Sequence, residues 1–275
     1  MPLLLAASVT PLTAAAQAVD EQAIGPLVAY LEAGGVDGVF ACGTTGEGVL
    51  LADDERRRAA VRFREACGGT LIVHCGAQTT AATVGLAAHA AEIGADGAAM
   101  IPPPYFQLDD AALVEHAVAA AAACAPLPFY LYAFSARSGY PLPPAVVAAV
   151  AGRAENLAGL KVSEPSMEAV SPYLGLGLPV LVGSEPLIPD ALAAGAAGAV
   201  SGLASAFPAE VAAVVRDPTP EGAARVRRLR EALGTTTLIA AAKYVLGRRG
   251  VPVGPDVRPP LRGLTASEQD ALTAI

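Results

Sequence analysis

The chain has 275 residues, of which 53% are hydrophobic and 16% are charged. This balance provides enough apolar surface for a large core and excludes a disordered protein. The net charge of −8, from 18 basic and 26 acidic side chains, argues against a surface that binds nucleic acid or an anionic membrane. The length fits two average domains or one α/β barrel of about 250 residues with a small appendage.

Cysteine usage and apolar stretches indicate the compartment. The four cysteines show no close pairing typical of metal or redox motifs. The N-terminal sequence MPLLLAASVTP has no basic segment before its apolar run, which favours a first strand over a signal peptide. The longest apolar stretches, such as residues 117–125, are too short to span a membrane. We therefore expect reduced thiols, no membrane contact and a cytoplasmic location.

Short apolar runs alternate with helical patterns along most of the chain. The runs are apolar throughout, which is typical of parallel strands buried on both faces. They cover residues 3–9, 36–42, 70–75, 97–101, 128–132, 157–162, 179–182 and 197–201. Acidic residues open several helices, at Asp20, Asp53 and Asp109, where the positive helix N-terminus favours negative charge.

This alternation predicts an α/β fold, a (β/α)8 TIM barrel, because a doubly wound sheet usually has fewer strands. We place the barrel in residues 1–205 and predict a C-terminal helical extension, residues 206–275, packed on it. Breaks in the extension are expected at 217–220 and 250–260. Functional residues of such barrels follow the C-terminal ends of the strands.

Lysine usage indicates a nucleophile. Only two of the 18 basic residues are lysines, Lys161 and Lys243, and arginine cannot deprotonate to replace an amine. Lys161 closes an apolar strand, where burial lowers the pKa of an ammonium and prepares it for Schiff-base chemistry. An ordinary strand-end lysine would instead reach solvent or pair with a neighbour such as Glu164. Lys243 lies in a helical pattern and is interpreted as a surface or packing residue.

Other candidate groups follow neighbouring strands. Residues 43–48, Gly-Thr-Thr-Gly-Glu-Gly, offer two hydroxyls and closely spaced N–H groups for a carboxylate or phosphate, although a tight strand-to-helix connection has the same pattern. Tyr132 is placed for proton transfer unless it is only a core aromatic. Arg137 could bind a carboxylate in a bidentate geometry.

The remaining ionisable residues carry weaker signals. The three histidines, His74, His89 and His116, are far apart, and without clustered carboxylates we expect no metal site. The arginine runs 56–58 and 225–230 lie among acidic residues in helical patterns, so we interpret them as solvated faces and not as nucleic-acid contacts.

Together these segments resemble a known enzyme family. Residues 38–48 resemble the first signature of the dihydrodipicolinate synthase/N-acetylneuraminate lyase family. Tyr132, Arg137 and the Gly-Leu-Lys ending at Lys161 resemble its second signature. Tyr105 lies in a segment similar to the one that carries the family's intersubunit tyrosine. The similarity spans nearly the whole chain.

The resemblance implies a class I aldolase or lyase that needs no metal and no organic cofactor. Lys161 would form an imine with pyruvate or a related 2-oxo acid, and the derived enamine would add to an aldehyde; cleavage is the reverse. Tyr132, Thr44 and Tyr105 of a neighbouring protomer would relay protons, while Thr45 would hold the 2-oxo acid carboxylate. The family is commonly a homotetramer, a dimer of dimers.

Departures from the family pattern bear on the second substrate. Ala133 and Ser135 replace the usual Asn and Pro, and losing the proline is expected to loosen the loop that aims Arg137. Val162 follows the lysine where a polar or acidic residue is usual.

The aldehyde stays open at this point. Arg137 favours an acidic aldehyde such as aspartate semialdehyde, as in dihydrodipicolinate synthases. Glu185 occupies a position where sugar-acid aldolases place polar groups, which favours a 2-keto-3-deoxy sugar acid. Gly183, Glu185 and Val200 are therefore candidate residues for binding the second substrate.

Two other classes of protein also stay open. A 2-oxo acid or sugar-acid binding protein without turnover would explain the departures at residues 133, 135 and 162, although the intact lysine, tyrosine and threonines argue against it. A phosphate-binding isomerase barrel would need a carboxylate base at a strand end, and Glu164 and Glu185 are the nearby candidates.

Overall fold

The structure, a computed structural model, describes residues 1–234, 238–273 and 275. Its strands are β1 (Leu3–Ala7), β2 (Gly38–Ala41), β3 (Thr70–His74), β4 (Gly97–Met100), β5 (Phe129–Ala133), β6 (Leu157–Val162), β7 (Val180–Val182) and β8 (Gly198–Ser201). Each strand pairs in parallel with the next, and β8 pairs with β1, so the sheet closes into a barrel. The predicted TIM barrel is confirmed, and each predicted strand overlaps an observed one.

The helices lie mainly between the strands. They are α1 (Glu21–Ala33), α2 (Asp53–Ala66), α3 (Thr80–Glu92), α4 (Asp110–Cys124), α5 (Ser135–Ser138), α6 (Pro144–Ala151), α7 (Met167–Leu174), α8 (Ile188–Ala193), α9 (Pro208–Arg216), α10 (Pro220–Gly234), α11 (Leu238–Arg248) and α12 (Ala266–Leu272). Asp20 and Asp109 accept backbone N–H bonds at the starts of α1 and α4. These side chains satisfy N–H groups that the first helical turn leaves without an intrahelical partner.

The C-terminal helices pack on the barrel and on one another. Helix α9 contacts β1 and β8, and α10 contacts α9, α11 and the short turn Glu185–Leu187 that follows β7. The predicted break at 217–220 separates α9 from α10, and the predicted loop 250–260 lies between α11 and α12. The division of the chain at residue 205 stays a prediction.

Two apolar layers hold the barrel together. The larger one lies between the strands and the surrounding helices. The smaller one fills the barrel interior with buried side chains that include Leu5, Phe40, Ile72, Leu181 and Val200. Among the helices that the structure describes, none is long and apolar enough to cross a membrane.

Candidate active site

Lys161 lies at the C-terminal end of β6, in register with Tyr132 of β5. Its Nζ is 4.1 Å from the ring centroid of Phe40 and 4.1 Å from that of Tyr132. Only 4% of the residue is exposed. Burial lowers the pKa of Lys161 to about 7, and the negative charge of Glu185 opposes this shift. The predicted burial of this strand-end amine is confirmed.

Tyr132 connects this amine to neighbouring hydroxyls. The Ser163 hydroxyl donates to the Tyr132 oxygen at 3.5 Å. Burial raises the pKa of Tyr132, and hydrogen bonds with Ser163 and Thr44 partly oppose this rise. Tyr132 is therefore a neutral phenol at neutral pH, able to donate one proton and accept another. Ser163, two residues after the lysine, was not predicted.

The loop after β2 is a compact turn. The Glu47 N–H donates to the Thr44 carbonyl at 3.1 Å, and the Gly48 N–H donates to the Gly43 carbonyl at 3.0 Å. A Cβ at Gly48 would lie 1.8 Å from the Cys42 carbonyl oxygen, so this approach requires glycine. The turn holds Thr44 and Thr45 of the predicted carboxylate-binding segment at the barrel mouth.

Lys243 is buried against this loop, so of its two interpretations the packing residue is confirmed and the surface residue is wrong. Its Nζ lies 2.5 Å from Glu47 Oε1 and donates to the Asp256 carbonyl at 2.8 Å. The second Glu47 oxygen accepts the Arg258 N–H at 2.6 Å. Burial lowers the pKa of Lys243, and the ion pair with Glu47 opposes this shift. The helical pattern around Lys243 could not reveal a partner 196 positions away.

Glu185 is held from three sides at the end of β7. Its Oε1 accepts from the Ser201 hydroxyl at 2.8 Å and from the Leu203 N–H at 2.9 Å. Its Oε2 lies 3.2 Å from Arg230 Nε of helix α10. Arg230 therefore reaches a buried carboxylate, which corrects its interpretation as part of a solvated face. Gly183, two residues before Glu185, lies against Ser163, and a Cβ there would be 1.9 Å from the Ser163 hydroxyl oxygen.

Arg56 is a second correction to the arginine runs. It is only 3% exposed and donates to the carbonyls of His74 and Gly76 at 2.7 and 3.0 Å. Burial lowers the pKa of His74 well below its usual value, and the cations of Arg56 and Lys161 act in the same direction. His74 is therefore a neutral imidazole, and its Nε2 accepts the Ile101 N–H at 3.2 Å.

Arg137 lies at the rim of the site, exposed, with its guanidinium carbon 5.7 Å from the Phe134 ring centroid. It lines a cavity of about 250 Å³ together with Thr44 and His74. The C-terminal extension contributes Ile239 and Leu261 to the same cavity. The sequence carried no signal for these contributions, since they depend on how the extension docks.

The Arg137 loop is fastened by a contact that the sequence did not reveal. The Ser135 N–H and hydroxyl donate to the two oxygens of Glu164, at 2.9 and 2.6 Å. Glu164 therefore binds Ser135, and the alternative in which it pairs with Lys161 is wrong. The predicted loosening of this loop followed from the missing proline alone, whereas the two bonds to Glu164 hold the loop at Ser135.

Two predicted residues lie outside this cluster. Tyr105 is 87% exposed, with a positive φ of 84°, and its ring contacts Phe106 edge-on at 4.9 Å. Its role at a neighbouring protomer stays a prediction. Val200 is buried in the barrel interior, and its role in substrate binding likewise stays a prediction. Within the described part of the chain, no group of three or more His, Cys, Asp or Glu side chains could hold a metal ion.

The fold and the site together define a TIM-barrel enzyme with a buried amine beside a tyrosine. The profile of the dihydrodipicolinate synthetase family matches residues 3–275. An uncharacterized DapA-like lyase of Halobacterium salinarum is 38% identical over 257 residues, which cover 87% of this chain and 82% of that protein. The 4-hydroxy-tetrahydrodipicolinate synthase of Hyphomonas neptunium is 33% identical over 271 residues, 94% of this chain and 92% of the relative.

Solved structures agree with these relatives. The N-acetylneuraminate lyase of Proteus mirabilis has a TM-score of 0.92 and 30% identity, with 100% of this chain and 97% of that chain covered. The chain belongs to the dihydrodipicolinate synthetase family. It is an enzyme, a carbon–carbon lyase of the aldolase type.

Proposed function

We propose that the enzyme is a class I aldolase that joins pyruvate, or a related 2-oxo acid, to an aldehyde, or cleaves the product, through an imine at Lys161. One observation carries this proposal: the Lys161 amine is buried between two aromatic rings with its pKa lowered to about 7. A large fraction of the amine is then neutral at physiological pH, as a nucleophile must be.

The proposed reaction begins when the Lys161 nitrogen attacks the keto carbon of the 2-oxo acid. The carbinolamine takes up a proton and loses water to give a protonated imine, and loss of a proton from the adjacent carbon gives an enamine. That carbon then bonds to the aldehyde carbon, whose oxygen takes up a proton, and hydrolysis of the imine releases the product. The reverse sequence cleaves the same bond.

The surrounding residues have assigned roles in this proposal. Tyr132 exchanges protons with the carbinolamine and with the aldehyde oxygen, through Thr44 and through Tyr105 of a neighbouring protomer. Thr45 and the N–H groups of its loop hold the 2-oxo acid carboxylate. The hydrogen bond from Ser163 to Tyr132, together with the effect of the Thr44 hydroxyl in lowering the Tyr132 pKa, supports the relay.

For the second substrate we favour an acidic aldehyde bound by Arg137. The guanidinium of Arg137 borders the cavity, whereas both oxygens of Glu185 already have partners in Ser201, Leu203 and Arg230. A carboxylate with both oxygens occupied has less capacity for sugar hydroxyls. The alternative within the family is a 2-keto-3-deoxy sugar-acid aldolase. A binding protein without turnover would leave the prepared amine without a purpose.

Steady-state rates separate these substrates. The proposal expects a higher kcat/KM for pyruvate with aspartate semialdehyde than for cleavage of 2-keto-3-deoxygluconate. The opposite ranking would favour the sugar-acid aldolase. Indifference to both, together with ligand-dependent melting and no covalent adduct, would favour the binding protein.

The proposal also includes assembly and location. We propose a homotetramer, a dimer of dimers, in which the exposed Tyr105 and Phe106 lie at a contact between protomers. All four cysteines are free and buried, which is typical of a reducing compartment and supports the cytoplasm.

A further inference from the structure

We propose that Glu164 is a positioning residue that orients Arg137, and thereby selects carboxylated aldehydes, by holding Ser135. Glu164 does not touch the reacting atoms in this account and acts only through the Arg137 loop. The inference rests on the proposed function, in which Arg137 receives the carboxylate of the aldehyde.

The contact between Glu164 and Ser135 uses the whole carboxylate. Oε1 accepts the Ser135 N–H at 2.9 Å, and Oε2 accepts the Ser135 hydroxyl at 2.6 Å. Glu164 is only 5% exposed, so water competes weakly for these bonds. Hydrogen bonds to a charged acceptor are about twice as strong as neutral ones. Backbone and side chain of one residue are thereby fixed at once.

The fixed residue begins the single turn that carries Arg137. Helix α5 spans Ser135–Ser138, with the Arg137 N–H donating to the Phe134 carbonyl at 2.9 Å and the Gly139 N–H donating to the Ser135 carbonyl at 2.9 Å. The Ser138 hydroxyl donates to the same Phe134 carbonyl at 3.2 Å. A turn this short moves as a unit, so holding its first residue limits where the guanidinium can lie.

The other end of the contact is tied to the imine lysine. Glu164 follows Lys161 by three residues, and the Ser163 N–H between them donates to the Ala133 carbonyl at 2.8 Å. Glu164 thus links the end of β6, which carries the amine, to the loop after β5, which carries the cation. The contact sets the separation between the two groups that would hold opposite ends of the forming product.

Ser135 occupies the position where the family pattern has proline. A proline fixes its own φ angle through its ring, whereas here Glu164 holds residue 135 by accepting one hydrogen bond from its N–H and one from its hydroxyl. Because serine replaces the proline, we expect aldehyde selection in this enzyme to depend on a buried carboxylate 29 positions away from Ser135.

The test is Glu164→Gln, assayed at saturating pyruvate with 4-oxobutanoate and with butanal, which differ in one carboxylate. We expect KM for 4-oxobutanoate to rise about tenfold, because the neutral glutamine amide holds Ser135 with weaker hydrogen bonds than the carboxylate does. KM for butanal and kcat for both aldehydes should stay nearly unchanged. A milder variant, Ser135→Ala, removes only the hydroxyl bond and should raise the same KM about threefold.

Two controls separate positioning from general damage. Glu168→Gln changes an exposed glutamate in the first turn of α7 and should leave both KM values unchanged. Adding Ser135→Pro to the Glu164→Gln variant should restore most of the preference for 4-oxobutanoate, because the ring fixes the backbone that the carboxylate held.

Borohydride trapping of pyruvate on Lys161, measured in every variant, tests the proposed imine separately from the positioning role of Glu164. Absence of trapping in the natural protein would refute the proposed function itself. Intact trapping with equal KM increases for 4-oxobutanoate and butanal, or with none, overturns the role of Glu164. A natural enzyme that prefers butanal overturns it as well, because Arg137 would then have no carboxylate to receive.

Discussion

The burial that lowers the pKa of the Lys161 amine also destabilises the folded protein. Its pKa is about 7 in the folded state, against about 10.4 in an unfolded chain. Between these two values the unfolded state binds more protons than the native state. The contribution of Lys161 to folding therefore becomes more favourable as pH rises from 7 to about 10.4.

Lys161→Met should remove this dependence, because the thioether side chain fills similar space without a charge to desolvate. We expect the free energy of unfolding to increase by about 2–4 kcal/mol at pH 7, with the gain shrinking towards zero near pH 10. Urea denaturation at pH 7, 8.5 and 10 measures the free energy of unfolding of the natural protein and of the Lys161→Met variant. A gain that is constant across this range would show that Lys161 keeps its usual pKa.

A residue's place in the structure could be predicted from the sequence when it depends on the local pattern, and not when it depends on contacts with remote segments. Lys161 and Tyr132 could be proposed as site residues from the sequence because strand ends of a TIM barrel form its site, and strands are visible in the sequence. From the sequence alone, Arg56 is expected on a solvated face and Lys243 at a surface or packing position, since their burial depends on partners contributed by remote segments. A buried Lys or Arg and a solvated one can have the same neighbouring sequence in a helix, so the sequence does not distinguish them.

At the scale of elements, the C-terminal helices hold the barrel mouth through ion pairs. Helix α11 places Lys243 on Glu47, in the loop that carries the two threonines. Helix α10 places Arg230 on Glu185, at the end of β7. Without Arg230, the buried Glu185 carboxylate would lose its cation, and its negative charge would raise the pKa of Lys161 further. The extension therefore stabilises both the shape and the charge balance of the site.

Lys243→Met should leave the buried Glu47 carboxylate without its cation, with the Arg258 N–H as its remaining partner. We expect a loss of about 3–5 kcal/mol in the free energy of unfolding, measured by chemical denaturation, and a higher KM for pyruvate as the loop loses support. Adding Glu47→Gln should recover part of the stability, because the uncompensated charge is then gone. Arg248→Met, an exposed position on the same helix, is the matched control. Equal stability of the Lys243→Met and Arg248→Met variants would refute the importance of the pair.

Element order was predictable, and element docking was not. Strands buried on both faces read as continuous apolar runs, and acidic caps such as Asp20 and Asp109 indicate helix starts. The register of the barrel and the position of α11 over the loop after β2 depend on packing between distant segments. The cavity walls provided by Ile239 and Leu261 follow from that packing, so sequence reasoning missed them.

At the scale of the whole molecule, the exposed aromatic pair provides a test of the proposed tetramer. Tyr105 and Phe106 are 87% and 71% exposed, and the neighbouring loop adds Val49 at 61%. Phe106→Asp should dissociate the proposed tetramer while preserving the fold, and turnover should fall because Tyr105 no longer reaches a neighbouring site. Light scattering, circular dichroism and steady-state rates together measure this. Ala209→Asp, at an exposed position on α9, is the control, and a fully active monomer would contradict the shared site.

The most direct measurement is borohydride reduction in the presence of pyruvate, followed by intact mass and peptide mapping, with Lys161→Arg as control. We expect one reduced pyruvate adduct, on the Lys161 peptide of the natural protein, and no adduct in the control. An adduct on Lys243 would mean that the wrong lysine was assigned. No adduct with pyruvate or with longer 2-oxo acids would contradict the imine mechanism.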